Sequence, residues 1–472
     1  MNNIWDLHKY QNNTALIDEF GTQLSYLDLE KYADELAEAV GKRCLVFSLC
    51  RNEIGSVLGY VSFMNHSIVP VMLNSHLEEE LLQNLLHTYE PEYLWVPKDQ
   101  VDHFENMDNC YEAFDYVLLK AHYDTVYPLF EQLGLLLTTS GSTGSPKFVR
   151  QSYANVLDNA LAIVKYLEID ETERPITTLP MNYTYGLSII NSHLLVGATI
   201  LITDKGLMQK EFWGFFKEAG ATSFGGVPYT YEMLDRLRFT RMKLPTLRYM
   251  TQAGGKILPE LHEKFAQYAA EQGKKFVVMY GQCEATARMG YLPPEKAVEK
   301  KGSMGIVIPG GRFHLIDANG AEITKPYTTG ELVYEGKNVT LGYAECGADL
   351  IKGDERNGIL ETGDMAQFDD DGFYYIVGRK KRFLKIYGNR VNLDEVDRLI
   401  KGSFGIEAAS TGVDDHMYIF VTDEKDADPV RSFVIEKTKL NPAAFKVIVI
   451  DEIPKNDSGK TLYKELTKYY AE

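Results

Sequence analysis

The feature that most limits the fold is an alternation of helix-like and strand-like segments that begins near the N-terminus. LSYLDLEKYADELAEAVGK (24–42) carries apolar residues at helical spacing, and CLVFSL (44–49) reads as a buried strand. IGSVLGYVSFMNHS (54–67) is helical again, and IVPVML (68–73) is another strand; the rhythm returns at ATILIT (198–203) and FVVMYG (276–281). Such alternation predicts α/β layering around largely parallel sheets. After about residue 302 the texture changes to glycines and short alternating strands, FHLIDANG, GELVYEG and FYYIVG, which predict a β-rich subdomain over 302–378. Five basic residues bounded by glycines, GRKKRFLKIYG (378–388), mark a second shift, followed by a helix at NLDEVDRLI and a strand at MYIFVTD. The expected organisation is a large N-terminal α/β domain over 1–378 and a small α+β domain over 379–472, long enough to fold alone.

Composition narrows the class of partner. Lys+Arg number 49 and Asp+Glu 67, a net charge of −18, which disfavours nucleic acid or an anionic membrane. The five cysteines are widely spaced with no C-x-x-C pair, as expected of reduced cytoplasmic thiols. The N-terminus lacks an apolar signal core. The most apolar run, LSIINSHLLVGATILI (187–202), is too short and polar to span a membrane, and reads as a buried helix followed by a strand.

One loop carries chemistry on its face. TSGSTGSPK (139–147) offers bare amides, hydroxyls and a lysine, groups suited to phosphate oxygens. It does not match G-x-x-x-x-G-K-[ST], and KFVRQS after it alternates like a strand, with the helix expected only from YANVLDNALAIVKYL (153–167). The expectation is a flexible clamp between two strands, not a helix N-terminus.

TSGSTGSPK resembles the signature of the adenylate-forming superfamily of acyl-CoA synthetases, peptide-synthetase adenylation domains and luciferases. LPMNYTYG (179–186), AGGKILP (253–259), YGQCEAT (280–286), ETGD (361–364), GRKKRFLKIYG and IPKNDSGKTLYKEL (453–466) resemble further elements of that family in its expected order. The resemblance implies a two-step reaction: a carboxylic acid attacks ATP to give an acyl-adenylate and pyrophosphate, then a thiol displaces AMP. It implies Mg²⁺ as the metal, and CoA or the phosphopantetheine of a separate acyl carrier protein as acceptor.

Roles carried over by resemblance are as follows. Thr139, Ser140, Gly141, Ser142, Thr143, Gly144 and Lys147 would close over the β- and γ-phosphates, with Thr139 and Glu284 at the metal. Gly255, Lys256 and Ile257 would line the adenine pocket, Tyr280 with Gly281 and Gln282 would flank the base, and Thr286 would meet the α-phosphate. Asp364 would accept both ribose hydroxyls beside Arg379, and Lys460 would reach in from the tail to the α-phosphate and carboxylate. The resemblance implies that the small α+β domain is mobile; Lys381 matches its hinge, with Lys385 and Gly388 on the loop serving the thiol step. The acyl pocket would draw on Asn182, Tyr183, Tyr185, Ser188, Gly225, Gly226, Val227 and Gln282. NYTYG lacks the aspartate that pairs an amine, which points away from α-amino acids and towards a modest, partly polar carboxylic acid. Cys283 reads as a tolerated small residue and not a nucleophile. Two other readings stay open: a ligase that hands the adenylate to a carrier protein or amine, and a catalytically dead nucleotide-binding homologue. The chain is also compatible with a homodimer.

Overall fold

The computed structural model describes residues 4–138, 147–387, 389–456 and 459–470. The first alternation builds the parallel centre of an eight-stranded mixed sheet. Leu45–Cys50 pairs in parallel with Val69–Asn74 on one side and Tyr93–Pro97 on the other. Val69–Asn74 then pairs in parallel with Leu133–Thr138. Strands buried on both faces need continuous apolar sequence, which is what CLVFSL and IVPVML supply. Helix Ile54–Asn65 is buried along its whole length, in keeping with its apolar character on every side.

A second sheet sets Ser223–Gly226, Tyr249–Gln252 and Lys275–Tyr280 in parallel, and two short antiparallel strands complete it. The run 187–202 forms helix Thr184–Leu195 and strand Ile200–Ile202, which pairs in parallel with Thr14–Asp18. The change of texture near 302 is a third, five-stranded antiparallel sheet, in which Ile359–Phe368 lies between Gly330–Glu335 and Tyr374–Arg379. The tail adds a hairpin of Phe383–Ile386 with Asn389–Asn392, helix Leu393–Phe404, and the three strands Ala409–Val413, His416–Val421 and Phe445–Val449. These elements share their own hydrophobic cluster, which includes Ile386, Ile400, Ile419 and Val430. No helix of the described residues is long and apolar enough to cross a membrane.

Strands Leu133–Thr138 and Phe148–Ser152 run antiparallel, so the segment 139–147 does connect two strands. The helix after it starts only at Tyr153. There Ser152 Oγ accepts from the Asn155 amide at 3.0 Å, while Asn155 Oδ1 accepts from the Ser152 amide at 2.8 Å. That reciprocal cap fixes the helix start outside the loop.

Candidate active site

A cavity of about 1400 Å³ opens beyond the C-terminal ends of Leu133–Thr138 and Lys275–Tyr280. The two ends meet there, with Cys283 Sγ 3.6 Å from the Thr138 carbonyl. Open α/β sheets place ligands at such strand ends. Thr139, Ser140, Gly141, Ser142, Thr143, Gly144 and Gly388 lie outside the described residues.

Past Tyr280 the chain turns sharply. Cys283–Ala285 forms a single 3-10 turn, and Thr286 (φ 51°) and Ala287 (φ 91°) both take left-handed conformations. Two consecutive non-glycine residues with positive φ store strain of a kind that clusters at functional sites. The turn folds the Ala287 carbonyl back onto Gly281, where a Cβ would stand 1.5 Å from that oxygen. Gly281 is therefore required by close approach.

The turn presents Glu284 to the cavity. Its Oε1 accepts from the Tyr343 hydroxyl at 2.8 Å. The Tyr343 ring carries Lys147 Nζ 3.7 Å from its centroid and the Arg356 guanidinium 4.7 Å from it. Burial, with the Glu284 charge behind it, pushes the Tyr343 phenol up to about 12. Tyr343 sits on Gly342–Ala344, the strand that pairs with Phe148–Ser152. The carboxylate, the lysine that ends the Ser/Gly loop and the Arg356 guanidinium thus meet through one ring that the motifs did not single out.

Asp364 is 2 % exposed and surrounded by donors. Oδ2 accepts from Tyr280 OH at 2.5 Å and from Gln282 Nε2 at 2.8 Å, and Arg379 Nε lies 2.7 Å from Oδ1. Strand register explains the last contact, because Asp364 and Arg379 stand directly opposite each other. Burial pushes the Asp364 carboxyl up from its ordinary range, and Arg379, Tyr280 and Gln282 pull it partly back.

Lys460 comes from 95 positions further along the chain than Met365, yet lines the same cavity. Its amide donates to Asn456 Oδ1 at 2.9 Å, which shapes the loop that carries it. Burial and the neighbouring Arg379 charge lower its pKa, while Cys283, Glu284 and Asp364 act the other way. Four of the predicted groups therefore converge with Lys460: Glu284, Asp364, Arg379 and Lys147. Asn182, Tyr183, Tyr185, Gly281 and Lys381 line the cavity as well.

Other predicted residues stand apart from it. Ile257 is buried in the hydrophobic cluster beneath the second sheet. Lys256 Nζ donates to the Ile376 carbonyl at 2.9 Å. The Thr286 hydroxyl donates to the Asn338 carbonyl at 2.7 Å. Val227 lines a smaller cavity of about 600 Å³ between the tail and the second sheet. Gly225 leaves room for Tyr185, whose OH stands 3.0 Å from where a Cβ would be, and Gly226 packs against Thr230. Lys385 is exposed, its amide held by Asp414 Oδ1 at 2.8 Å. Burial pushes the Cys283 thiol up, so it stays protonated, in line with a packing role. Ser188 reaches the pocket indirectly, accepting from the buried Arg288 at 3.0 Å.

Among the described residues no three His, Cys, Asp or Glu side chains group as a metal site. Glu284 offers one carboxylate with cations close by. That donor set suits a hard cation which takes one or two carboxylates and fills its remaining positions with phosphate oxygens and water.

The chain belongs to the AMP-binding enzyme family, whose model matches residues 5–344. It is 28% identical over 360 residues to the oxalate–CoA ligase of Arabidopsis thaliana, covering 72% of this chain and 68% of that protein. It is likewise 28% identical over 340 residues to the 2-succinylbenzoate–CoA ligase of Bacillus licheniformis, covering 70% of this chain and 69% of that one. Its fold is shared with the o-succinylbenzoate CoA synthetase of Bacillus subtilis bound to an acyl-adenylate, at a TM-score of 0.80, 22% identity, and coverage of 98% and 97%.

Proposed function

We propose that the protein joins a carboxylic acid to CoA at the expense of ATP, through an acyl-adenylate, releasing AMP and pyrophosphate. The observation that carries this reading is the presence of Lys460 in one cavity with Glu284, Lys147 and Arg379, the last of them paired with the buried Asp364. Attack of a carboxylate on a phosphate brings two anions together, so the reaction calls for fixed positive charge at the point of approach more than for acid–base chemistry. Lys460 supplies that charge from the tail and Lys147 from the base of the Ser/Gly loop. Asp364 is a buried acceptor for ribose hydroxyls, with Arg379 opposite, and Tyr280 walls the base side. Glu284 would hold Mg²⁺, which neutralises phosphate charge when bound.

The separate hydrophobic cluster of the tail supports a division into 1–378 and a mobile 379–472, with Lys381 at the joint. The names of the relatives favour CoA over a carrier-bound arm as acceptor. All five cysteines are free thiols, which suits a reducing cytoplasm. The test is acid-dependent exchange of labelled pyrophosphate into ATP, followed by thioester formation on adding CoA. Lys460→Ala is expected to cut exchange at least about 100-fold, the range for losing one transition-state charge contact. Exchange at the normal rate in that variant removes Lys460 from the reaction. Exchange without thioester would instead mark a ligase that passes its adenylate to a carrier or an amine.

A further inference from the structure

The wall of the cavity holds a cation that the reaction above does not use. Arg288 follows the left-handed pair Thr286–Ala287, is 2 % exposed and lines the cavity. Its Nε donates to Ser188 Oγ at 3.0 Å, and Nη1 donates to Tyr166 OH at 3.1 Å and contacts Met279 Sδ at 3.2 Å. The guanidinium lies 5.2 Å from the Tyr185 ring centroid. Among the described residues Nη2 makes no hydrogen bond and no carboxylate pairs with the side chain.

Every group facing this cation is neutral. Burial pushes the Tyr185 phenol up to about 12 and raises that of Tyr166. His193 must donate from Nδ1 to the Ile189 carbonyl at 2.8 Å, so Nε2 accepts from Tyr249 OH at 2.9 Å; burial holds the ring down to about 4, with Arg288 adding to the effect. Glu173, which acts on Tyr249 from beyond, is held by Arg248 at 2.9 Å. An arginine stays charged at any physiological pH. A buried, uncompensated charge is costly, and such charges are ordinarily paired. The missing partner belongs in the cavity that Arg288 lines.

We propose that Arg288 pairs with a second carboxylate on the substrate, so that the enzyme activates one end of a dicarboxylic acid while the other end is buried against this guanidinium. The proposal rests on the ligase reading. Nη2 with its free N–H groups is placed to bind a carboxylate oxygen, and charge-assisted bonds of this kind are the strong ones. A site built around a buried polar partner rejects an analogue that lacks it far more sharply than an apolar pocket rejects a missing methylene. Tyr185 and Tyr183 supply apolar walls for the spacer between the two ends.

The experiment measures pyrophosphate release for linear dicarboxylic acids of two to eight carbons and for aromatic dicarboxylic acids, each beside the monocarboxylic acid of matched length and the half-amide. At least one diacid is expected to exceed its matched monoacid by about 100-fold or more in kcat/KM, chiefly through KM. In Arg288→Met that preference should shrink to below roughly 10-fold, and Arg288→Lys should retain part of it. A monoacid preferred over its matched diacid by the unaltered protein overturns the assignment, and needs no variant to fold. An unchanged preference in a folded Arg288→Met protein overturns it too. Release with no acid at all overturns the ligase reading and this inference with it, whereas release with monoacids alone leaves the ligase reading standing.

Discussion

Tyr343 shows how much of the site depends on a residue without a motif. One ring donates its hydroxyl to Glu284 and offers its faces to Lys147 and Arg356. Tyr343→Phe keeps the ring and removes only the hydrogen bond. A hydrogen bond to a charged group is worth about 1.5–3 kcal/mol. The expected result is a fall in acid-dependent pyrophosphate exchange of roughly 10-fold or more, with a melting temperature close to that of the unaltered protein. Tyr343→Leu should fall further, because the platform for both cations goes with the ring. An unchanged exchange rate in the Phe variant would show that Glu284 is oriented without it. Glu284, Asp364 and Lys460 were singled out in the sequence because each lies in a segment that resembles a family motif, and not because their own composition set them apart. Tyr343 was not, because its partner is 59 positions away and the two are brought together by tertiary contacts, among them the bond of the Thr340 amide to the Glu284 carbonyl at 3.0 Å. Arg288 was missed although it stands four positions beyond Glu284: its meaning lies in the absence of a counter-ion, which sequence does not show.

At the scale of elements, periodicity was the reliable signal. Helix Tyr153–Leu167 begins where the alternation of KFVRQS stops, and the run 187–202 divides into helix and strand as its composition implies. The basic cluster at the junction was less legible. Its five charges look alike in sequence, but Arg382 is turned inward, with Nε 2.8 Å from Asp394 and Nη2 2.8 Å from Asp397. It also stacks 3.5 Å from the Tyr463 ring centroid, and so braces the tail elements against one another. Asp397 carries a pH dependence. Burial raises it to about 7 and Asp394 adds to this, against the opposing pull of Arg382, Ser410 and Tyr463. An unfolded aspartate titrates near 3.9, so between about pH 4 and pH 7 the folded chain binds more protons than the unfolded one. The stability of the tail elements should therefore fall as pH rises through that window, by on the order of 4 kcal/mol. Asp397→Asn should flatten the slope, as read by urea unfolding followed through the NMR resonances of tail residues at pH 5 and pH 8. An equal slope in both proteins would assign the pH dependence to other groups.

At the scale of the whole molecule, the proposed reaction would give the tail two tasks that one orientation cannot serve. Lys460 stands in the cavity, whereas Lys385 is exposed on the hairpin to which the family resemblance would give the thiol step. A change of orientation is cheap only if the contacts across the junction are few and weak. One of them is the ion pair of Lys401 with Glu232 at 2.6 Å, joining helix Leu393–Phe404 to helix Pro228–Arg236. A partly exposed pair of this kind contributes about 0.2–1 kcal/mol, while like charges at the same distance oppose the contact by a similar amount. Lys401→Glu should therefore lower the population of the orientation seen here, and acid-dependent exchange with it, by roughly 3- to 30-fold at low salt, with the deficit shrinking as salt rises. If thioester formation from supplied acyl-adenylate and CoA uses another orientation, as the proposed reaction would have it, that step should be unaffected or faster. The charge swap Lys401→Glu with Glu232→Lys should restore exchange without altering the cavity. If the swap fails to restore it, or if both half-reactions fall together in the single variant, the pair does not govern the choice between orientations. Restored exchange with an unchanged thioester step would place the control of the reaction order in this junction, and not in the residues that touch ATP.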